Sequence, residues 1–285
     1  MWTRSQRHRG GASLTLAVTL AAALTIACPA QIAYVGAFGS GLAIYVVDEV
    51  HQTTRPLTSG PVDTAPAWSP DGARIAFVRW VGDAPDIFVI DADGTHLTRL
   101  THTPGQDAEP VWKPDGTALA FLSELDGTTA AYLVDPDGAN LRRFPGLPGG
   151  IGSLDWSPDG QSVVFDRIVD YQVHLFIMDV ATEAIHELPG VLGSRPCWSP
   201  DGSLIAFSGD PHIGLIRPDG TGLRWLARQG GRNEHPTWSP DGTRIAYQSD
   251  YLGRDVICVV GVATGTFVRL TDIGTSPDWN PARTP

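Results

Sequence analysis

Short apolar runs recur along the whole chain, and tight turns rich in proline, aspartate and glycine separate them. In the stretch from Pro236, the pair Thr237-Trp238 precedes the turn Ser239-Pro240-Asp241-Gly242, and apolar runs follow at 244–247, 255–260 and 267–270. Proline presets φ for such a turn, and glycine accepts positive φ. Short apolar runs bounded by turn residues predict β-strands. Beyond the N-terminal region, no window shows helical periodicity.

The same succession of strands and turns repeats six times, and a tryptophan opens each repeat. The copies read PAWSPDG at 66–72, PVWKPDG at 110–116, LDWSPDG at 154–160, PCWSPDG at 196–202, PTWSPDG at 236–242 and the shorter PDWNP at 277–281. Successive tryptophans, from Trp68 to Trp279, are 44, 44, 42, 40 and 41 residues apart. A period of about 40–45 residues is typical of the four-stranded blades of a propeller. Tryptophans this regular are expected in the core between blades.

A second apolar run follows each complete turn, as in Ile75-Ala76-Phe77 and Ile205-Ala206-Phe207. Together with the tryptophan phrases, these runs resemble the WD40-like repeat of TolB-type propellers, and the resemblance covers residues 31–285. It implies a propeller domain built from four-stranded blades. The printed sequence holds no counterpart of the separate N-terminal α/β domain of TolB. We therefore expect a propeller alone, and the partners of TolB are not carried over to it.

The two ends of the repeat region are expected to complete one blade together. The last tryptophan, Trp279, has a first strand but no chain left for the other three. Residues 31–34 match the second strand at 244–247, and residues 42–48 and 55–58 supply a third and a fourth. The prediction is an all-β, six-bladed β-propeller over residues 31–285, with one blade shared between the termini. Closure of this kind removes exposed sheet edges.

Residues 1–28 have the composition of a secretory signal peptide. Arginines 4, 7 and 9 precede an uncharged run at 12–27, which ends at Cys28. Residues 25–28 resemble the lipobox of bacterial lipoproteins, which implies that Cys28 carries a lipid. Two alternatives stay open, namely an ordinary signal cut near Ala27 or Ala30 and a retained membrane anchor. Each of these places the propeller outside the cytoplasm, in the periplasm or at the cell surface, with or without a membrane anchor.

The charge of the chain restricts the classes of partner that it can bind. The formal net charge is −11, and Lys113 is the one lysine. Binding to nucleic acid needs a basic face, so nucleic acid is excluded as a partner.

Cys197 and Cys258 fall in strands of different repeats, and we expect two buried, unpaired thiols. No GxSxG phrase signals a hydrolase serine. A monomer is expected.

The loops divide into two sets that lie on opposite rims of the disc. The turns between strands one and two read SPDG or KPDG, and those between strands three and four include DADG at 91–94 and DPDG at 135–138. We call their side the stereotyped rim. Its Asp-x-Asp-Gly pattern would suit a hard cation, but the equivalent turns at 180–182 and 262–265 have lost most carboxylates. The pattern therefore indicates hairpin turns rather than a metal site.

The opposite side, the varied rim, holds the loops between strands two and three and those entering strand one. In the resembled family, strand one lines a central channel. The residues three before each tryptophan should then ring its mouth: Ala65, Glu109, Ser153, Arg195, His235 and Ser276. An outer tier of ligand contacts is expected two residues earlier, at Asp63, Asp107 and Asn233. Trp80, Tyr171 and Tyr251 do not repeat and are candidate contact anchors, because aromatic residues are enriched at interfaces.

Variable loops on a rigid scaffold usually carry binding sites. The sequence thus favours a binding scaffold for an envelope protein, a peptide or a saccharide. The alternative is a lyase or hydrolase at the channel mouth, in which His235 and Glu109 act as base and acid or hold a divalent ion while Arg195 binds a substrate carboxylate. Some polysaccharide lyases use related propellers with a histidine-rich metal site, whereas this ring has one histidine. No cofactor is expected beyond such an ion.

Overall fold

The computed structural model describes residues 30–227 and 230–282, so the predicted signal peptide and Cys28 lie outside the described residues. The described residues form twenty-four strands and no helix. In chain order the strands are β1 (Gln31–Phe38), β2 (Gly41–Asp48), β3 (Thr53–Pro56), β4 (Asp63–Trp68), β5 (Arg74–Val81), β6 (Ala84–Asp91), β7 (Thr98–Arg99), β8 (Asp107–Trp112), β9 (Leu119–Ser123), β10 (Ala130–Val134), β11 (Arg142–Arg143), β12 (Ile151–Trp156), β13 (Ser162–Val169), β14 (Gln172–Asp179), β15 (Ile185–Leu192), β16 (Ser194–Trp198), β17 (Ile205–Gly209), β18 (His212–Ile216), β19 (Arg224–Leu226), β20 (Asn233–Trp238), β21 (Arg244–Ser249), β22 (Val256–Gly261), β23 (Phe267–Arg269) and β24 (Thr275–Trp279).

These strands make six antiparallel sheets of four strands each. Blades 1 to 5 take consecutive strands, β4–β7, β8–β11, β12–β15, β16–β19 and β20–β23. Blade 6 has the order β24-β1-β2-β3, so its first strand comes from the C-terminal end and the other three from the N-terminal end. The six-bladed, all-β prediction with one shared blade is confirmed.

The first strands are longer than the sequence pattern predicts. β20 begins at Asn233 rather than at Thr237, because the strand continues through an irregularity between Glu234 and Thr237. The other blades have the same register shift in strand one or its pairing. Such a bulge inserts an unpaired residue and re-aims its side chain. The polar residues before each tryptophan therefore belong to the sheet, where the sequence pattern shows a loop.

The tryptophans form the core between blades, as predicted. Trp112 of blade 2 packs in one buried cluster with Ile87 and Val89 of blade 1, and its Nε1 donates to the Ala67 carbonyl at 3.1 Å. Trp238 repeats this contact on the Cys197 carbonyl at 3.2 Å. Five of the six tryptophans are buried, and the exception, in blade 4, is half-buried. Each ring thus joins its own blade to the preceding one.

The shared blade closes the ring through strand β24. Trp279 pairs with Ile32 of β1 and is 2% exposed. The Arg244 guanidinium of blade 5 lies 5.0 Å above the Trp279 ring, and it also forms an ion pair with Glu49 of blade 6. A cation over an aromatic face and a carboxylate both attract this guanidinium. One residue of blade 5 therefore holds both parts of blade 6.

We predict that Trp279→Ala destabilises the whole propeller by about 3–5 kcal/mol, because it empties the site that closes the ring. The melting temperature should fall on the order of 10 °C. Trp80→Ala is the matched control, since Trp80 lies on the surface, 42% exposed, and its loss should change stability by under about 1 kcal/mol. Equal melting temperatures for the two variants would show that β24 does not close the ring.

Candidate functional site

The first strands of the six blades enclose a central channel with a volume of about 620 Å³. The structure places all six predicted mouth positions in its wall: Ala65, Glu109, Ser153, Arg195, His235 and Ser276. At the opposite end the wall is formed by the prolines of the stereotyped turns, among them Pro70 and Pro240. The six mouth positions therefore lie at the varied-rim end of the channel, and the turn prolines lie at the other end.

Five of the six mouth residues have a left-handed backbone. Their φ values lie between 46° and 53°, a conformation that costs about 1–2 kcal/mol for a residue with a side chain. The five are Ala65, Glu109, Arg195, His235 and Ser276. Each sits in the bulge of its first strand, which turns the side chain toward the channel. Ser153 does not share the positive φ.

An ion pair crosses the mouth between non-adjacent blades. Arg195 of blade 4 donates from Nη1 to Oε1 of Glu109 in blade 2 at 2.9 Å. The bridge passes over Ser153 of blade 3, and both charged side chains keep partial contact with solvent. Exposed pairs of this kind contribute at most about 1 kcal/mol to folding. The guanidinium is consequently available for exchange with another carboxylate.

Asp166 in β13 positions this pair. Its buried carboxylate accepts hydrogen bonds from the backbone N–H groups of Gly152 and Ser153, from the Ser153 hydroxyl, and from the Arg195 N–H at 2.9 Å. A Cβ at Gly152 would lie 2.6 Å from the Asp166 carboxylate, so glycine is required there. Asp166 thereby ties blade 3 to blade 4 directly beneath Arg195. In the sequence, no motif or spacing around Asp166 indicates this role.

His235 is neutral at physiological pH. Burial, with a contribution from the nearby Arg195 charge, lowers the pKa of His235 to about 3. Its backbone N–H donates to the Ser208 hydroxyl at 3.1 Å. Within the described residues no hydrogen bond joins His235 to Glu109, whose carboxylate is held by Arg195 instead. The acid–base role of His235 and Glu109 in the enzymatic alternative therefore stays a prediction.

The predicted outer tier is buried inside the blades. Asp63 makes a bidentate ion pair with Arg79 at 2.6 and 2.8 Å. Asp107 accepts from the Thr103 hydroxyl at 2.8 Å, and burial raises its pKa. Asn233 donates to three loop carbonyls, and its oxygen accepts from Ser249 at 2.8 Å. All three are fully or almost fully buried, so they brace the start of strand one and do not face the mouth as the sequence analysis expected.

The three candidate anchors have different surroundings. Trp80 lies at the end of β5 on the varied rim, and 42% of its surface is exposed. Tyr171 is fully exposed at the tip of the hairpin between β13 and β14. Tyr251 is half-buried and packs edge-on against Phe267 at 5.8 Å. The rings of Trp80 and Tyr171 are thus accessible to a partner, whereas the ring of Tyr251 packs within its own blade.

Two acids lie deep in the channel wall on opposite blades, Asp155 in blade 3 and Asp278 in blade 6. Asp155 accepts from the Trp198 N–H at 2.8 Å, and Asp278 accepts from the Trp68 N–H at 2.6 Å. Each carboxyl group therefore holds the tryptophan of the following blade. Burial raises the pKa of Asp155 to about 7 and that of Asp278 to about 6.

Two kinds of feature are absent from the described part of the chain, a cluster of metal ligands and a membrane-spanning helix. Among residues 30–227 and 230–282, no three His, Cys, Asp or Glu side chains are grouped so that they could hold a metal ion. The divalent ion at the mouth stays a prediction. Over the same ranges no helix is long and apolar enough to cross a bilayer. Cys197 and Cys258 are unpaired, as predicted.

Comparison with known families agrees with this architecture. A family model described as TolB beta propeller domain matches residues 28–147 and again residues 135–284. The two matches together span almost the entire printed sequence. The chain belongs to the TolB beta-propeller family.

Solved structures show the same fold at low sequence identity. TolB from Acinetobacter baumannii superposes with a TM-score of 0.79 at 21% identity, over 88% of this chain and 66% of that one. A putative TolB from Agrobacterium tumefaciens gives 0.71 at 19%, over 90% and 92%. An oligogalacturonate lyase in complex with manganese gives 0.54 at 20%, over 86% and 74%. These similarities establish a shared fold.

The acids in the channel wall should make the stability of this TolB-type propeller depend on pH. Their folded-state pKa values of about 7 and about 6 exceed the ordinary aspartate pKa of 3.8. The stability that the protonated acids contribute is complete below about pH 4 and is lost as pH rises to about 7. Asp155→Asn should therefore stabilise the protein by roughly 2–4 kcal/mol at pH 8. The gain should shrink at pH 5.

Urea unfolding at both pH values measures this change, and Asp159→Asn is the control in the same blade. The Ser157 hydroxyl and nearby backbone lower the pKa of Asp159, which predicts the opposite sign. Asp159→Asn should destabilise at pH 8 and have less effect toward pH 3. If Asp155→Asn were destabilising at pH 8, the assigned burial of that carboxyl would be wrong.

Proposed function

We propose that this propeller is an extracytoplasmic binding scaffold that presents its varied rim and channel mouth to a protein partner. The observation that carries the proposal is the conformation of Tyr171. Asp170 and Tyr171 form the turn between β13 and β14, with φ values of 47° and 64°. Hairpin turns with two positive φ values favour Asn-Gly or Asp-Gly. A bulky residue at the second position is strained, and its side chain makes no compensating contact, because it is fully exposed.

Backbone strain at a residue that makes no stabilising contact indicates that the residue serves function rather than folding. Two more aromatic side chains lie exposed on hairpins of the varied rim, Phe38 (40%) and Trp80 (42%). Exposed aromatic rings combine a large contact area with few rotatable bonds, and they are enriched where proteins bind one another. These rings therefore favour a protein partner over a saccharide held within the channel.

The chain ends support the same orientation. β1 begins at Gln31 beside Trp279, where β24 ends, so both ends of the described chain emerge at the stereotyped rim. With a lipid on Cys28, the membrane would lie under that rim and the varied rim would face away from it. Lipidation and the periplasmic or surface location belong to this proposal. It is supported by the TolB-type family and by the composition of residues 1–28.

Site-specific photo-cross-linking in the envelope of the native host tests the rim assignment. Benzoyl-phenylalanine in place of Trp80 or Ile168 should give discrete protein adducts on irradiation. The same probe at Val50 or Leu97, which are exposed at the stereotyped rim, should give none. Adducts from the stereotyped rim alone would place the partner on the other face.

Tyr171→Gly separates binding from folding. Glycine adopts the positive φ without strain, so stability should stay unchanged or rise by up to about 1 kcal/mol. The adduct yield from a probe at Ile168, on the same hairpin, should nevertheless fall at least about fivefold, a change of about 1 kcal/mol. Tyr171→Phe keeps the ring and should keep the yield. If Tyr171→Gly left the adduct yield unchanged, Tyr171 would not contribute to the interface with the partner.

A further inference from the structure

Two grooves flank the base of the hairpin between β13 and β14 on the varied rim. The first, which we call the two-arginine groove, has a volume of about 360 Å³, and its walls include Ile151, Arg167, Ile168, Val173 and Arg195. The second has a volume of about 560 Å³ and contains Leu192 and Trp225. Val173 and Ser194 line both grooves. The two grooves therefore adjoin at these two residues of blades 3 and 4, and we call them together the trench.

The two-arginine groove brings two guanidinium groups to one surface in a protein of net charge −11. Arg167 is exposed, and its side chain has no ion-pair or hydrogen-bond partner among the described residues. Arg195 also reaches this groove from the channel mouth. The one carboxylate in the lining, Asp166, is buried and accepts four hydrogen bonds from the protein. Arg167 therefore has no carboxylate partner among the described residues, whereas Arg195 is paired with Glu109 at the channel mouth at 2.9 Å, so a ligand carboxylate on Arg195 exchanges with Glu109.

Apolar side chains frame these charges. Ile151 forms a buried wall, whereas Ile168 is 67% exposed beside Arg167. Val173 continues this surface toward Leu192, which is exposed in the second groove. An extended peptide that alternates acidic and apolar residues matches this pattern, since successive side chains of a strand point to opposite sides. Arginine is suited to carboxylates because its planar fork accommodates both oxygens.

We infer that the trench binds an extended acidic segment of the protein partner, with side-chain carboxylates on Arg167 and Arg195 and apolar side chains against Ile168 and Val173. The inference rests on the proposed function and names the chemistry of its ligand. The net negative charge of the propeller opposes such a ligand at long range. At physiological ionic strength the Debye length is about 8 Å, so charges farther away are largely screened while direct contacts with Arg167 and Arg195 are not.

Fluorescence anisotropy with labelled peptides tests this inference on the purified protein. The probe is an amidated peptide with the sequence Glu-Leu-Glu-Ile-Glu-Leu that carries the fluorophore on its N-terminal nitrogen, and its lysine and glutamine analogues, labelled in the same way, are the comparators. Only the acidic peptide should bind. Arg167→Gln combined with Arg195→Gln should weaken binding by about tenfold or more. Arg254→Gln, at an exposed arginine on blade 5, is the matched control and should have no effect.

Ile168→Asp provides a second variant that leaves both arginines in place. It puts a carboxylate into the groove at an exposed position, so the fold should be retained while the acidic peptide is rejected. Far-ultraviolet circular dichroism and melting temperature check folding for every variant. Unchanged affinity in the folded Ile168→Asp variant would overturn the assigned site.

Three other outcomes would overturn the inference. Binding of the lysine analogue would show that the net charge of the propeller outweighs the groove. Binding of the glutamine peptide with a free C-terminus, but not of the amidated acidic peptide, would assign the arginines to a terminal carboxylate. If no peptide bound while cross-links at the varied rim persisted, the acidic segment would be ruled out as the ligand. The proposed function would then still stand.

Discussion

Every feature of this molecule depends on the packing of one tryptophan per blade against the blade before it. A four-stranded sheet has two apolar faces, and a ring of blades buries both by stacking each sheet on its neighbours. The tryptophan ends the first strand, so its burial fixes the height of that strand along the channel. Trp112 and Trp238 add a hydrogen bond to the preceding blade. Closure through Trp279 extends this arrangement to the whole circle.

The fixed height explains why the channel mouth could be located from the sequence. Counting three residues back from each tryptophan reaches the bulge in every blade, and all six residues so identified line the channel. The blade number and the shared blade follow from the repeat alone. Strand one was predicted too short, because a bulge with a positive φ at a non-glycine residue leaves no composition signal.

What the side chains do at those positions could not be predicted. Spacing indicates the height of a residue but not its partner, and the Glu109–Arg195 bridge joins residues 86 apart in the sequence. Burial was equally hidden: Asp63 reads as a polar loop residue, yet Arg79 and the bulge enclose it. Tyr251 resembles Tyr171 in the sequence, but the phenylalanine across its blade covers it. Contacts formed across strands decide these differences.

The seam between blades 3 and 4 differs from the other seams in how deeply its tryptophan is buried. Trp198 is half-buried, whereas the other five are buried. Hydrogen bonds supplement its packing, from the Trp198 N–H to Asp155 and from the Arg195 N–H to Asp166. A buried apolar cluster that includes Val164, Leu175, Ile205 and Phe207 also crosses this seam, and the Trp198 ring packs against it. Both grooves of the trench lie beside this seam, so the apolar cluster and the hydrogen bonds together hold blades 3 and 4 in place next to the candidate ligand site.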